Sequence, residues 1–166
     1  MGQPTWKLVA GKKSVPGSQG HLWTPVLDYV IPTHLYRIVV SMKEGAVAGK
    51  PPEEQTWQPE SSEPCTAGGN VEIVRSAVSA TQPTVPSTAT PPLSGVPIGA
   101  LVARVGGGTA ESGDANRSVV FAVGRHSVFS GPEIAKAGSL FLGVNDVPDC
   151  ARKLNGQLVV DVYEAL

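Results

Sequence analysis

Charge is scarce in this 166-residue chain: Asp, Glu, Lys and Arg together make up 16% of it and nearly cancel, with 13 basic against 14 acidic side chains. No basic run exceeds Lys12-Lys13. That excludes the counterion-releasing footprint of a nucleic-acid binder and the polybasic patch of a membrane-surface protein. Aromatic residues are equally sparse, at 5%. No apolar stretch approaches the roughly 20 residues that a membrane-spanning helix needs. Met1-Gly2-Gln3-Pro4-Thr5-Trp6 has no basic segment leading into an apolar one, so no secretory leader is read there; the expectation is a soluble protein, cytoplasmic or exported by a non-classical route. Only Cys65 and Cys150 are present, which allows one disulfide or two thiols and leaves the redox compartment open.

Catalytic signatures are missing as well. His21, His34 and His126 are scattered, with no His-Glu-x-x-His pair, no Cys-x-x-Cys and no Gly-x-Ser-x-Gly elbow. Gly106-Gly107-Gly108-Thr109 follows a strand as a phosphate loop does. It lacks the Lys-Ser/Thr and the ensuing helix, and reads as a turn. The expectation is a protein that is not an enzyme.

What the chain has in abundance is 19 glycines and 15 prolines. These residues cost about 1 and 3 kcal/mol per helical position, so long helices are disfavoured and short strands joined by turns are favoured. Alternation with period two marks eight strands: Trp6–Ala10, Pro25–Val30, Leu35–Met42, Asn70–Ala77, Ile98–Val105, Ser118–Val123, Ser139–Val144 and Gln157–Tyr163. In the third, Tyr36, Ile38, Val40 and Met42 share a face, and Arg37 points the other way with Leu35 and Val39. Leu140, Leu142 and Val144, and Leu158, Val160 and Val162, are the expected core sets of the last two strands. Arg104 alternates with Leu101, Ala103 and Val105, which predicts a half-exposed strand. Helix is limited to a turn around Pro132–Lys136. The fold class expected is all-β, a sandwich or barrel. Residues 1–166 are read as one domain, with the Pro/Thr/Ser-rich stretch 79–97 as a long loop pinned across its surface.

The candidate site is the rim after Gly143-Val144-Asn145-Asp146, where an apolar strand ends in two side chains that carry oxygens. They could face an ion or a hydroxylated ligand, or Asp146 could cap an Asx-turn. Of the three tryptophans, Trp6 beside a strand is expected in the core. Trp57, in a polar loop, is the candidate aromatic platform for a sugar ring.

From Pro97 to Val162 these motifs resemble the calcium-dependent, galactose-binding bacterial lectins of the PA-IL type and the wider set of PA-IL-like domains. Gly99-Ala100-Leu101 through Gly106, the Phe121-Ala122-Val123-Gly124 segment, the Asn145-Asp146 strand end and Asn155-Gly156-Gln157-Leu158-Val159-Val160 carry the likeness. Pro25–Ser41 and Trp57-Gln58-Pro59 match the family's earlier strands more thinly, and 79–97 corresponds to an insertion. The resemblance implies a jelly-roll-like, galactose-binding-like β-sandwich. It implies that Asp146 touches both calcium and sugar, that Val147 is a further sugar contact, that a backbone carbonyl at Cys150 can serve the ion site, and that Asn155 compensates only in part for the amide pair that completes it in the lectins. The chain departs from the family where Lys153 and Leu154 replace ion ligands, since an ammonium group repels calcium and calcium needs about six to eight oxygens. Glu63-Pro64 stands where the lectins have His-Pro. Two functions follow as expectations. One is a carbohydrate-binding module using Asn145, Asp146, Val147, Asn155 and Trp57, with a degenerate calcium site. The other is a structural or protein–protein interaction subunit that keeps the sandwich, within an oligomer or larger assembly. No nucleic acid and no membrane insertion is expected.

Overall fold

In the computed structural model, residues 2–17, 23–43, 53–58, 64–70, 93, 95–108, 117–146 and 156–166 are described. They form nine strands in two antiparallel sheets packed face to face. Strands β1 (Trp6–Pro16), β3 (Leu35–Val40), β7 (His126–Ser130) and β9 (Gln157–Ala165) make a four-stranded sheet in the order β1-β9-β3-β7. The second sheet holds β2 (Thr24–Val30), β8 (Gly138–Val144) and β5 (Ile98–Gly106) in that order, with β4 (Gly68–Asn70) and β6 (Ser118–Ala122) pairing with successive parts of β5. The described strands thus make an all-β sandwich, the class expected from the alternation and the turn residues.

The period-two pattern fills the interior as read. Leu158, Val160 and Val162 of β9, Tyr36 and Ile38 of β3, and Leu140 and Leu142 of β8 are each at most 1% exposed. They join Leu101, Ala103 and Val105 of β5 in one cluster spanning both sheets. A fully buried aliphatic side chain of this kind stabilises by about 1.5–3 kcal/mol. At the open side of the sandwich, Phe129 of β7 stacks on Tyr36 (5.4 Å between centroids) and meets Phe121 of β6 at 4.8 Å, tying the sheets together.

Three differences from the sequence reading stand out. Strand β7 was not expected: His126–Ser130 has one buried-side aromatic, too short an alternation to register by period alone, and it is held by pairing with β3. Strand β1 runs to Pro16 rather than Ala10, absorbing Gly11-Lys12-Lys13 through register shifts against β9; Lys12 adopts φ 50°, and its N–H donates to Asp161 Oδ1 (2.8 Å). And β5 is buried along its entire length, so Arg104 is 2% exposed rather than half in water. Its guanidinium lies 4.3 Å from the ring of Phe141 and 5.2 Å from that of Trp23, and burial pushes its pKa below the ordinary value. The Trp23 indole reaches this place because Gly143 has no side chain; a methyl there would come within 3.1 Å of the ring. The helical turn expected near Pro132–Lys136 is a single 3-10 turn, Ile134–Lys136. Of the strand expected at Asn70–Ala77, Asn70 ends β4 and residues 71–77 lie outside the described residues.

Candidate functional site

The expected site at the end of β8 is built differently from its sequence reading. Asn145 continues the ladder with β5, its N–H donating to Ala100 O (2.8 Å) and its carbonyl accepting from Gly99 N–H (2.9 Å). Its side chain, 0% exposed, is turned onto the segment that leads into β5. Oδ1 accepts from Leu93 N–H (2.9 Å), while Nδ2 lies within hydrogen-bonding distance of the carbonyls of Leu93 (3.1 Å), Val96 (3.1 Å) and Pro97 (3.3 Å). An amide carries an acceptor oxygen and two N–H donors on separate atoms, so it can bridge several backbone groups of both kinds in this way. Asn145 is therefore a clamp on the chain before β5, and its oxygen is not placed for an ion or a sugar hydroxyl. The sequence reading had this oxygen free to face an ion or a ligand; it faces Leu93 N–H instead. Asp146, 2% exposed, follows in a tight turn in which its N–H donates to Val144 O (3.0 Å).

Trp57 is likewise corrected. Its indole is 1% exposed and belongs to the core cluster, with Nε1 donating to Gly99 O (2.8 Å). Reciprocal backbone bonds with Cys65 hold it there, at 3.0 and 2.9 Å, so no ring face is open to a sugar. Val147, Cys150, Lys153, Leu154 and Asn155 lie outside the described residues, as do Glu63 and most of 79–97. Among the described residues no group of three His, Cys, Asp or Glu gathers as a metal site. Of the calcium ligands that the resemblance implies, Asp146 is described, and Cys150 and Asn155 lie outside the described residues.

Two further clusters are internally satisfied. A cleft of about 290 Å³ is lined by Val40, Met42, Glu54, Gln55, Thr66 and Arg125 among others, but its charges are paired: Arg125 Nε lies 2.7 Å from Glu54 Oε1. The Gln55 side chain is spent on the backbone, accepting from Val159 N–H (2.9 Å) and donating to Ser41 O and Val159 O. His34 Nδ1 sits 2.6 Å from Glu164 Oε1, which also accepts from the Tyr36 hydroxyl (3.4 Å). The same hydroxyl accepts from Ile31 N–H (2.9 Å), so this cluster fastens the turn before β3 to the end of β9. Burial, then the nearby Glu164 carboxylate, pushes the Tyr36 phenol above its ordinary pKa, partly offset by the Ile31 hydrogen bond.

The outer face of the four-stranded sheet is different. Cross-strand register places Leu8, Tyr163, Arg37 and Val128 in one row over all four strands. At the usual strand spacing the row is about 14 Å long. Trp6 stands one pleat further along β1, on the same face as Leu8. The Arg37 guanidinium carbon lies 4.8 Å from the Trp6 ring centroid and 4.7 Å from that of Tyr163, contacts worth about 0.5–2 kcal/mol each. Its Nε is buried with no hydrogen-bond partner, and among the described residues no carboxylate forms an ion pair with it. Around it Leu8 (51%), Val128 (49%) and Leu35 (43%) are open to solvent. The face also carries Asp161, whose two oxygens accept from Lys12 N–H and the Ser41 hydroxyl (3.3 Å).

Sequence reasoning turned Arg37, Leu35 and Val39 correctly to one side of β3 but placed Trp6 in the core. It had no means of bringing residues 6, 37 and 163 together, because that depends on β9 lying between β1 and β3. The available signal was the apolar, outward half of the β3 alternation around a lone cation. Comparison with protein-family models and with curated proteins gives no match to this chain.

Proposed function

We propose that the chain is a non-enzymatic binding module that docks a protein partner on the outer face of its four-stranded sheet. The observation that carries this reading is the Trp6–Arg37–Tyr163 cluster, ringed by exposed Leu8, Leu35 and Val128. Tryptophan, tyrosine and arginine are the residues that dominate binding energy in protein interfaces, and a surrounding apolar rim excludes water from them. Exposed apolar residues grouped on one face, rather than scattered singly, are the kind of surface that marks an interaction site. The lectin-like alternative draws less support, because Asn145 and Trp57, two of its hydroxyl-orienting residues, are buried and hydrogen-bonded within the fold.

The test uses three immobilised proteins: wild type, the double variant Leu35→Glu/Val128→Glu, and a control, Ile134→Glu, at an exposed position of the 3-10 turn. Candidate partners retained from host extract are purified, and their affinities for all three are measured by calorimetry. The reading expects a partner whose affinity falls at least about tenfold for the double variant and is unchanged for the control. Partners that bind all three equally sink it. A glycan array run with and without chelator tests the alternative: chelator-sensitive galactoside binding that survives the double variant would return the function to the Asp146 rim.

A further inference from the structure

Arg37 differs from the other described arginines that line surfaces or clefts. Arg125 has Glu54, whereas Arg37 is flanked by two rings and among the described residues meets no carboxylate. The rings fix the guanidinium at the centre of an apolar patch, where an opposite charge interacts more strongly than in bulk water. We propose that this face receives an acidic residue of a partner protein, an Asp or Glu flanked by apolar side chains, with its carboxylate held on Arg37 and its neighbours on Leu8, Leu35 and Val128. The inference rests on the reading above and names the chemistry of the partner.

Charge decides between occupants. A second copy of this chain stacked on the same face would set Arg37 against Arg37, while the face's own carboxylate, Asp161, is engaged by Lys12 N–H and Ser41. Like charges brought together in a desolvated patch oppose association. An incoming carboxylate instead meets the terminal Nη groups end-on, since Nε is the buried nitrogen, and two parallel N–H···O bonds to a guanidinium are the strongest pairing available to it. An acidic glycan carries the same carboxylate, but its neighbouring groups are hydroxyls. Leu8, Leu35 and Val128 offer them no hydrogen bond, whereas they suit leucine, isoleucine or phenylalanine side chains of a peptide segment.

The probe is a phage-displayed library of random peptides, panned on the full wild-type chain and counter-selected on Leu35→Glu/Val128→Glu, with uronate and sialoside glycans and anionic lipid vesicles assayed in parallel. The expected result is enrichment of peptides with Asp or Glu beside large apolar residues. Their affinity is expected to fall at least about tenfold for Arg37→Met, to fall less for Arg37→Lys, which keeps the charge but not the fork, and to weaken with rising ionic strength. Circular dichroism and the unfolding midpoint establish that each variant is folded. Face-dependent peptides without acidic residues, or acidic ones indifferent to Arg37→Met, overturn the carboxylate and leave the protein-docking reading standing. Arg37-dependent binding of acidic glycans or vesicles with no acidic-peptide enrichment overturns the protein occupant. A library with no face-dependent enrichment overturns both.

Discussion

Several described side chains are committed to backbone, and Asn145 shows what that commitment is worth. Its amide bridges the end of β8 to Leu93, Val96 and Pro97. Truncation in Asn145→Ala leaves buried backbone groups without partners, and a loss of about 2 kcal/mol in urea unfolding is expected. Asn145→Asp is expected to cost more at neutral pH, because a carboxylate then faces three carbonyl oxygens. Part of the loss returns as pH falls toward about 4, the ordinary aspartate value, because a carboxyl facing carbonyl oxygens keeps its proton to higher pH in the fold than in the unfolded chain and so regains a donor. If Asn145→Ala leaves the midpoint unchanged, the clamp is not structural. Tyr36 gives a second residue-scale prediction. Its phenol pKa is raised in the fold above the ordinary 10.0, mainly by burial, so the folded state holds its proton while the unfolded state releases it. That stability is fully present below pH 10 and is lost as pH climbs through the folded value. Tyr36→Phe lacks the hydroxyl and its bond from Ile31 N–H, and is expected to be less stable by about 1 kcal/mol at pH 7. The gap between the two proteins narrows above pH 10; a gap that stays constant to pH 11 refutes the coupling.

At the scale of elements, the short strand β7 has the most to explain, since its own sequence gives so little reason to form one. Five residues paired only with β3 are marginal alone, and the element is secured by Phe129 wedged between Tyr36 of its own sheet and Phe121 of the other. Phe129→Ala is therefore expected to cost about 2–3 kcal/mol, less than a fully buried Phe because the ring is only partly enclosed. Amide hydrogen exchange should show the loss first in His126–Ser130. Protection that falls equally in every strand would mean that Phe129 serves the core and not β7. The elements most clearly legible in the sequence were those with three alternating aliphatics, such as Leu140, Leu142 and Val144. Strand β7, with Val128 outward and Phe129 inward, falls below that threshold. Strand β5 was legible in position but not in burial: alternation read Arg104 as wet, while Trp23, 81 residues earlier, covers it across the side-chain-free Gly143.

Over the whole molecule, core and candidate interface use opposite faces of the same sheet. Leu158, Val160 and Val162 of β9 point inward while Asp161 and Tyr163 lie on the other side, so the two functions of that strand are separable. The Leu35→Glu/Val128→Glu protein is expected to keep its unfolding midpoint within about 2 °C of wild type, since surface changes away from special features stay near ±0.5 kcal/mol. A large drop would show that the outer face is part of the stability of the sheet and would weaken its assignment as a docking surface. The all-β class, the position of most strands and the inward sets were determined by the amino-acid sequence alone. Period-two alternation depends only on local backbone geometry, and the density of Gly and Pro excludes long helices without reference to any partner. The site was decided by tertiary structure. Alternation says which residues share a face of their own strand, but not which strand lies alongside. It is the order β1-β9-β3-β7 that gathers Trp6, Arg37 and Tyr163 across 157 positions of chain, and the packing of the segment before β5 that turns Asn145 and Trp57 from candidate ligand contacts into parts of the interior.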